Sequence, residues 1–592
     1  MLYRPTEIHQ TNTTHLKSYQ SNKYRDQHGH SSILLAFPSE SLTHITCFLN
    51  PPSLLALGRT NRYLNNHVND DNTWHRAFVC QFLGIGPEGD LRNTKTLMLR
   101  RCENSWSKEF IVRYNIRRCG IYFLFFINMF DPICRRWERS HNSTITHTPH
   151  HSKVSGMQLM PETGLLTSSI EYGIVSRSLP LTGKILRGYL DASGTGLGIG
   201  NPNAEFTPNV SACALSSDGG TAKIIWGFRN GEVALMSANK AMDLGRATAK
   251  LTRCKIDDEH AKAVQDATWC ANNAFVTGAL DGRVKLWDAK RVKCVWTSDI
   301  KESSLIIDPC VKVASTITKG IVVGVMKSGV IVVWTGLEAL LSEDAPLSVL
   351  PVIPEIRIPS PIDTVPAPGS PENNPAHDII AIYLDHTAPC KLMILAAYSN
   401  DSLFYRLGVD LQSKSVASTP FGEESSGSIT AIKASFSGQA GESSFVIAGD
   451  QLGCISIYDW GASPPSESLN GRPPSIRPLR KFEAHEDGAV TAIAWNSVTL
   501  ISGSSRGTIK IWDSLTFTPL RSFPSPGVRP PTGGEWDGVG QIILQRDLLV
   551  VSVGSRVLTW RAGPVGQRGQ STWKAKHVKR SKKNGAAKGY RK

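Results

Sequence analysis

The sequence lacks any apolar run long enough to cross a bilayer. Its longest, Ile121 to Phe130, covers ten residues, where a spanning helix needs roughly 20. Met1 to Ser32 is polar and His-rich, without the apolar core of a signal peptide. The 12 cysteines include no CxxC pair, which argues against a zinc ribbon or a thioredoxin-like redox site. Their scatter does not fit a disulfide-dense secreted scaffold. Also absent are a Walker phosphate loop, HExxH, a GxSxG elbow and a paired-carboxylate motif. His141, His147, His150 and His151 lie in a Ser/Thr-rich stretch without carboxylate or thiol partners, so they read as linker rather than as a metal site. These absences predict a soluble, non-enzymatic protein of a reducing compartment, with no cofactor, no metal and no membrane contact. What is present is apolar material for several cores: 592 residues, 41% of them hydrophobic.

The formal net charge of +15 is concentrated. The stretch Arg92 to Arg139 nets +7 and Lys574 to Lys592 nets +9, so the remainder nets about −1. The second run has nine Lys/Arg and no acid. It reads as a nuclear import signal or a weak RNA contact, or else as a solvated tail. The first run falls in a basic linker, residues 85–153, partly helical. Within it, IYFLFFINMF is apolar on every face while its flanks, VRYNIRR and RRWERS, are basic. Either residues 119–134 are an insertion, such as a retained intron, or they form a buried helix packing the linker onto the next domain.

Residues 1–32 read as disordered, and 33–84 as a small helical module. Leu42, Ile45, Phe48 and Leu49 share a helical face. Pro51-Pro52 stops that helix. Ser53 is placed to cap a second, carrying Leu54, Leu55 and Leu57. Asp70, Asp71 and Asn72 offer caps for a third, in which Trp74, Phe78 and Phe82 recur every four residues. Three such short helices bury little alone and are expected to present an apolar face to a partner or a following domain.

From residue 154 to 563 one pattern repeats. A turn residue precedes alternating apolar positions, as in GIVSRS from Gly173, GEVALM from Gly231, GRVKLW from Gly282, GVIVVW from Gly329, SLFYRL from Ser402, GCISIY from Gly453, GTIKIW from Gly507 and SRVLTW from Ser555. Successive starts lie 47 to 73 residues apart. Alternation marks half-buried strands, and a period near fifty residues with several strands marks a β-propeller. Eight signatures favour eight blades over seven. The longest interval holds residues 339–378 with nine prolines, an extended loop between blades. Residues 564–592 read as a basic disordered tail. Cys213, Cys270, Cys294 and Cys454 fall in strand segments and read as core.

These residues resemble two known families. The repeats resemble WD-repeat propellers: His260, Thr277, Asp281 and Trp287 stand where such blades place a structural His–Ser/Thr–Asp–Trp network. His485, Ser502 and Trp512 match in a later blade, where Arg506 replaces the Asp. The stretch FPSESLTHITCFLNPPSLLALGRTNRYLNN from Phe37, with the later Trp74, resembles an F-box. The combination is similar to F-box/WD-repeat proteins, the substrate receptors of Skp–cullin–F-box ubiquitin ligases. The resemblance covers roughly 37–84 and 154–563, and implies a small all-α module followed by an all-β propeller. It assigns adaptor docking to Phe37, Pro38, Leu42, Ile45, Phe48, Leu49, Leu54, Leu55 and Leu57, some of which also form the module's own core. Through the Skp-type adaptor the chain would reach a cullin, while its propeller holds a protein substrate. Such a chain needs no nucleophile, because its contribution is proximity.

The implied substrate face carries Gln265, Thr430 and Thr491 after the inter-blade loops and Leu280, Gln451 and Ser505 in the turns, with Arg283 and Arg506 nearby. None of the first six is Arg, so no multi-arginine phosphate cradle is expected. The rival reading is a nuclear propeller scaffold in ribonucleoprotein or ribosome assembly acting through its basic tail. A third is an F-box protein working outside any ligase. Localisation is expected in nucleus and cytoplasm.

Overall fold

The computed structural model describes residues 33–89, 94–121, 144–148, 151–160, 164–186, 190–193, 209–239, 249–271, 273–299, 307–316, 319–341, 353–362, 378–385, 387, 391–439, 442–464, 474–526, 536–545 and 548–561. The expectations of disorder in 1–32 and a basic tail at 564–592 lie outside those residues. So do most of the suspected insertion 119–134 and two of the four histidines, His141 and His150.

Four short helices open the chain: α1 (Ser39–Thr46), α2 (Pro51–Gly58), α3 (Arg62–Val68) and α4 (Asp71–Phe78). Asn50 caps α2, its side-chain oxygen accepting from Ser53 N–H at 3.0 Å. Pro51 and Pro52 therefore start this helix rather than ending the previous one, and the cap is Asn50 rather than Ser53. The first turn tolerates proline because its N–H groups have no intrahelical partner. Asp70 caps α4. Helix α3 is one more than the amphipathic spacing predicts; its cap, Asn61, accepts from Tyr63 N–H at 2.8 Å. The helical run closes on Gly84 in the left-handed region, φ 62°.

Eight antiparallel sheets follow, one per blade. Their innermost strands are Gly156–Met160, Val210–Asp218, Val264–Ala271, Cys310–Thr316, Ile379–Asp385, Ile429–Ser435, Val490–Trp495 and Val539–Gln545, for blades 1 to 8. The outermost strand of blade 8 is Thr144–His147, paired antiparallel with Arg556–Arg561. The linker assignment of 85–153 thus needs correction at its end: this segment completes blade 8 and ties the two ends of the propeller together. The proline-rich stretch 339–378 needs a similar correction. Glu355–Ile358 is the outer strand of blade 4, pairing Ile331–Trp334. Pro354 and Pro359 flank it, where an edge strand tolerates proline.

The turn glycines explain how the blades nest. Gly453 has φ 83°, and a Cβ there would sit 1.9 Å from the carbonyl oxygen of His485. The amide of His485 donates back to Gly453 O at 2.9 Å. Gly231 and His260 repeat the arrangement, again with 1.9 Å to the carbonyl. Blade 5 fills the left-handed turn position with Asn400, φ 60°, and blade 8 with Gly554, one residue before Ser555. These turns and the loops joining successive blades form the upper face.

Candidate functional site: two docking faces and a rigid joint

The helical module and the propeller share one core. Leu54, Val68, Trp74, Phe78, Phe82 and Phe110 are continuous with Phe445, Leu500, Trp512 and Leu515 of blades 6 and 7. The bridge is α5 (Trp106–Ile121). Phe110 is fully buried, edge-on to Phe78 and Phe82 at 6.0 Å each. Trp106 stacks on His75 at 4.2 Å and its amide donates to Asp71 Oδ1 at 2.8 Å.

At the centre of the joint is Arg113, with no exposed surface. Its Nε donates to Glu109 Oε1, and its Nη2 donates to the carbonyls of Arg100 at 2.8 Å and Ser497 at 2.7 Å. Glu109, also buried, accepts the amides of Cys102 and Glu103 on its other oxygen. Arg100 pairs with Glu442 at 2.9 Å and lies over the Phe445 ring. The residues between the modules are therefore not a free spacer. Two cations of the basic run 92–139, Arg100 and Arg113, are structural, because their stacking and carbonyl contacts replace water.

Ser497, Ser514 and Glu442 all lie in hairpin turns opposite the glycine turns. The helical module consequently docks on the lower face and leaves the upper face open. The module's own free surface is apolar. Of fourteen large hydrophobic side chains exposed among the described residues, six fall between Leu35 and Tyr63: Leu35, Phe37, Ile45, Phe48, Leu55 and Tyr63. Phe48 is 69% exposed and Ile45 45%, whereas Leu42 (1%) and Leu54 (0%) are core. The nine assigned adaptor residues thus divide. Phe37, Pro38, Ile45, Phe48 and Leu55 are exposed, Leu49 and Leu57 are half-buried, and Leu42 and Leu54 are interior. The expectation that Leu42, Ile45, Phe48 and Leu49 share one face is corrected, since α1 ends at Thr46 and turns Phe48 outward.

On the upper face, Thr430 Oγ1 donates to Val490 O at 2.6 Å and Thr491 Oγ1 to Val539 O at 2.7 Å. Both hydroxyls tie a blade to the next and are already engaged. Gln451 is exposed and accepts from Ser428 Oγ at 2.8 Å. Arg283 and Arg506 are exposed, while Gln265, Leu280 and Ser505 are half-buried. Gln265, Leu280 and Arg283 belong to blade 3; the others belong to blades 6 and 7, across the ring. The structure does not bring the eight together as one cluster.

The histidines of the network are interior. His260 Nε2 bonds Thr277 Oγ1 at 2.8 Å, Trp287 Nε1 donates to the same hydroxyl at 2.8 Å, and His260 Nδ1 meets Asp281 at 3.2 Å. Burial lowers the His260 pKa despite Asp281. In blade 7, His485 Nε2 bonds Ser502 Oγ at 2.8 Å, and Trp512 Nε1 donates there at 2.9 Å. The carboxylate missing at Arg506 is supplied by Asp487, which accepts from Thr508 Oγ1 at 2.8 Å, while Thr508 Oγ1 bonds His485 Nδ1 at 3.1 Å. Burial brings His485 down to about 4. Sequence reasoning missed Asp487, although an acid two residues after the His was readable.

A channel-side pocket of about 390 Å³ also escaped it. There Asp266 receives Lys312 Nζ at 3.1 Å and the amide of Val313 at 3.0 Å. Burial raises the Asp266 pKa against that pairing. Burial likewise pushes Cys213 and Cys270 up to about 12, which keeps both thiols protonated. Among the described residues no group of three metal-capable side chains occurs, and no helix is long and apolar enough to cross a membrane.

The F-box-like family model matches residues 34–80, and the WD domain, G-beta repeat model matches residues 252–288 and 476–513. The F-box/WD repeat-containing protein pof10 of Schizosaccharomyces pombe is 26% identical over an alignment of 290 residues that covers 47% of this chain. The match spans 38% of that relative's own length. Two solved structures are similar at a TM-score of 0.45. The computationally designed Ika8 protein is 18% identical, covering 71% of this chain and 100% of its own; Saccharomyces cerevisiae Sqt1 is 14% identical, covering 72% and 100%.

Proposed function

We propose that this chain, an F-box-like helical module joined to an eight-bladed WD-repeat propeller, is a substrate-recognition subunit of a Skp–cullin–F-box ubiquitin ligase. The F-box-like surface docks on a Skp-type adaptor, and the upper face of the propeller holds the protein to be ubiquitinated. The chain performs no bond chemistry. It holds the substrate near a ubiquitin-conjugating enzyme carried by the rest of the assembly, so that transfer becomes effectively intramolecular.

The observation that carries this reading is the division of the module's apolar residues. Leu42, Leu54, Trp74 and Phe78 face its own core and the propeller, while Phe37, Ile45, Phe48 and Leu55 are left uncovered. A six-residue apolar surface on so small a module is what an obligate docking partner would cover. Complete burial of a Phe or Ile side chain stabilises by about 1.5–3 kcal/mol. Scaled by present exposure, Ile45 and Phe48 together contribute about 2–3 kcal/mol to a complex, a factor of roughly 30–150 in affinity.

Tagged full-length protein and an Ile45→Asp, Phe48→Asp variant should be purified side by side. Stoichiometric adaptor and cullin with the first, and neither with an equally folded second, is the expected result. Absence of adaptor from the folded parent would refute the receptor reading. Binding of RNA through residues 574–592, with a steep salt dependence, would then favour the scaffold.

A further inference from the structure

The outer rim between blades 3 and 4 carries a groove of about 520 Å³ that none of the foregoing uses. Its floor is aromatic and aliphatic: Trp296 and Trp334, whose rings meet edge-to-face at 5.5 Å, with Ile353 beside them. Its rim is acidic. Asp257 and Asp258 come from the loop entering blade 3, Asp299 from the loop leaving it, and Glu355 from the outer strand of blade 4. The cations near the groove are already engaged. Lys285 Nζ donates to the carbonyls of Asp258 and Glu259 at 3.0 Å, and Arg357 pairs with Glu355. Among the described residues, no hydrogen bond or ion pair engages the carboxylates of Asp257, Asp258 or Asp299. Ile256, next to them, is 84% exposed.

An aromatic floor under unpaired carboxylates favours lysine and arginine side chains. Their methylene stems cover apolar surface while their heads reach the acids. This chain contains such a segment: Lys574, Lys576, Lys579, Arg580, Lys582 and Lys583 lie within ten residues that hold no acid. Reach decides whether it can arrive. Eighteen residues, or nineteen Cα–Cα steps, lie between Arg561, the last described position in blade 8, and Arg580. Extended, they span up to about 65 Å. A compact body the size of this propeller is about 55 Å across. A relaxed chain of this length averages about 24 Å end to end, so the tether must be drawn out to arrive and several ion pairs must hold the segment together.

We propose that residues 574–583 dock in cis in the groove between blades 3 and 4, their cations on Asp257, Asp258 and Asp299. The proposal is independent of the ligase reading, since the groove lies away from the helical module on blades 6 and 7. Docked, the segment is shielded from any acidic partner. Released, it is available to one.

Full-length protein treated with a zero-length carbodiimide should give amide cross-links between Lys574–Lys583 and Asp257, Asp258 or Asp299, in the monomer band and mapped by mass spectrometry. Tryptic cleavage within 574–583 should be slow at low salt. It should accelerate roughly threefold or more in the Asp257→Asn, Asp258→Asn, Asp299→Asn variant. Raising the salt to half molar should accelerate it in the parent alone, by screening. The salt and cross-linking arms do not depend on the variant folding. Cross-links confined to a dimer band would place the segment on a second copy and overturn the proposal. Cross-links absent from these carboxylates, or cleavage insensitive to salt, would overturn it as well.

Discussion

Replacing Arg113 by Met removes the hub of the joint while keeping the volume of the side chain. Glu109 stays 1% exposed and loses the guanidinium that neutralises it. The carbonyl of Arg100 loses its donor, and that of Ser497 keeps only Ser514 Oγ at 2.7 Å. Two backbone amides still reach Glu109, which moderates the loss without cancelling a buried charge. Breaking a buried pair on one side costs about 3–5 kcal/mol. No strand pairing of the propeller involves Arg113, so the loss falls on local opening of α5 rather than on the ring. Hydrogen exchange read by mass spectrometry separates the two. Amides of α5 should lose protection by two to four powers of ten, while those of blade 2 stay unchanged. Adding Glu109→Gln should restore most of the protection, because a neutral amide leaves no charge uncompensated. Unchanged exchange in α5 of the single variant would refute the reasoning, and so would a double variant as loose as the single one.

Three further outcomes follow. His485 is neutral when folded, with a pKa of about 4 against about 6.5 unfolded. The unfolded state therefore binds more protons as the pH drops through that window. Denaturant titrations should show a loss of about 2 kcal/mol between pH 7.5 and 5, with His260 acting in the same direction. Gly453→Ala combines a left-handed φ with a Cβ 1.9 Å from His485 O, and should lose at least about 2 kcal/mol in thermal unfolding. Gly461→Ala, exposed and with 3.4 Å to Asp459, should stay within about 0.5 kcal/mol. Leu54→Ala should destabilise the helical module by about 2–5 kcal/mol, whereas Phe48→Asp should leave its melting unchanged and weaken adaptor retention in a pull-down.

The strand signatures were legible because alternation and turn glycines are local. Gly173, Gly231, Gly282, Gly329, Gly453 and Gly507 all carry the positive φ their turns demand. Other features depend on partners far along the chain. Thr144–His147 is four residues in a Ser/Thr-rich stretch, and only the free edge of Arg556–Arg561 makes it a strand. Glu109 and Arg113 stand at i and i+4, a spacing that reads as a solvated surface pair. Nothing near them announces that Ser497, 384 residues later, offers a carbonyl. Within the helical module, amphipathic spacing located Leu42 and Leu54. It could not separate residues that face the core from residues that face outward, since short helices turn several of their sides to apolar neighbours.

The joint bears on the proposed role. A receptor that works by proximity holds two partners at once, and its gain in effective concentration falls if one half swings freely against the other. Here the helical module rests on the lower face of blades 6 and 7, held by a continuous core, the Arg100–Glu442 pair and the Arg113 hub. The upper face, with its exposed Arg283, Gln451 and Arg506, points away from that contact. Adaptor and substrate would approach from opposite sides of one rigid body, and neither would need to displace the other. Loosening Arg113 should accordingly slow ubiquitin transfer to a bound substrate while leaving adaptor and substrate affinities unchanged. Independent loss of either affinity would show instead that the joint shapes a docking surface, rather than the distance between two of them.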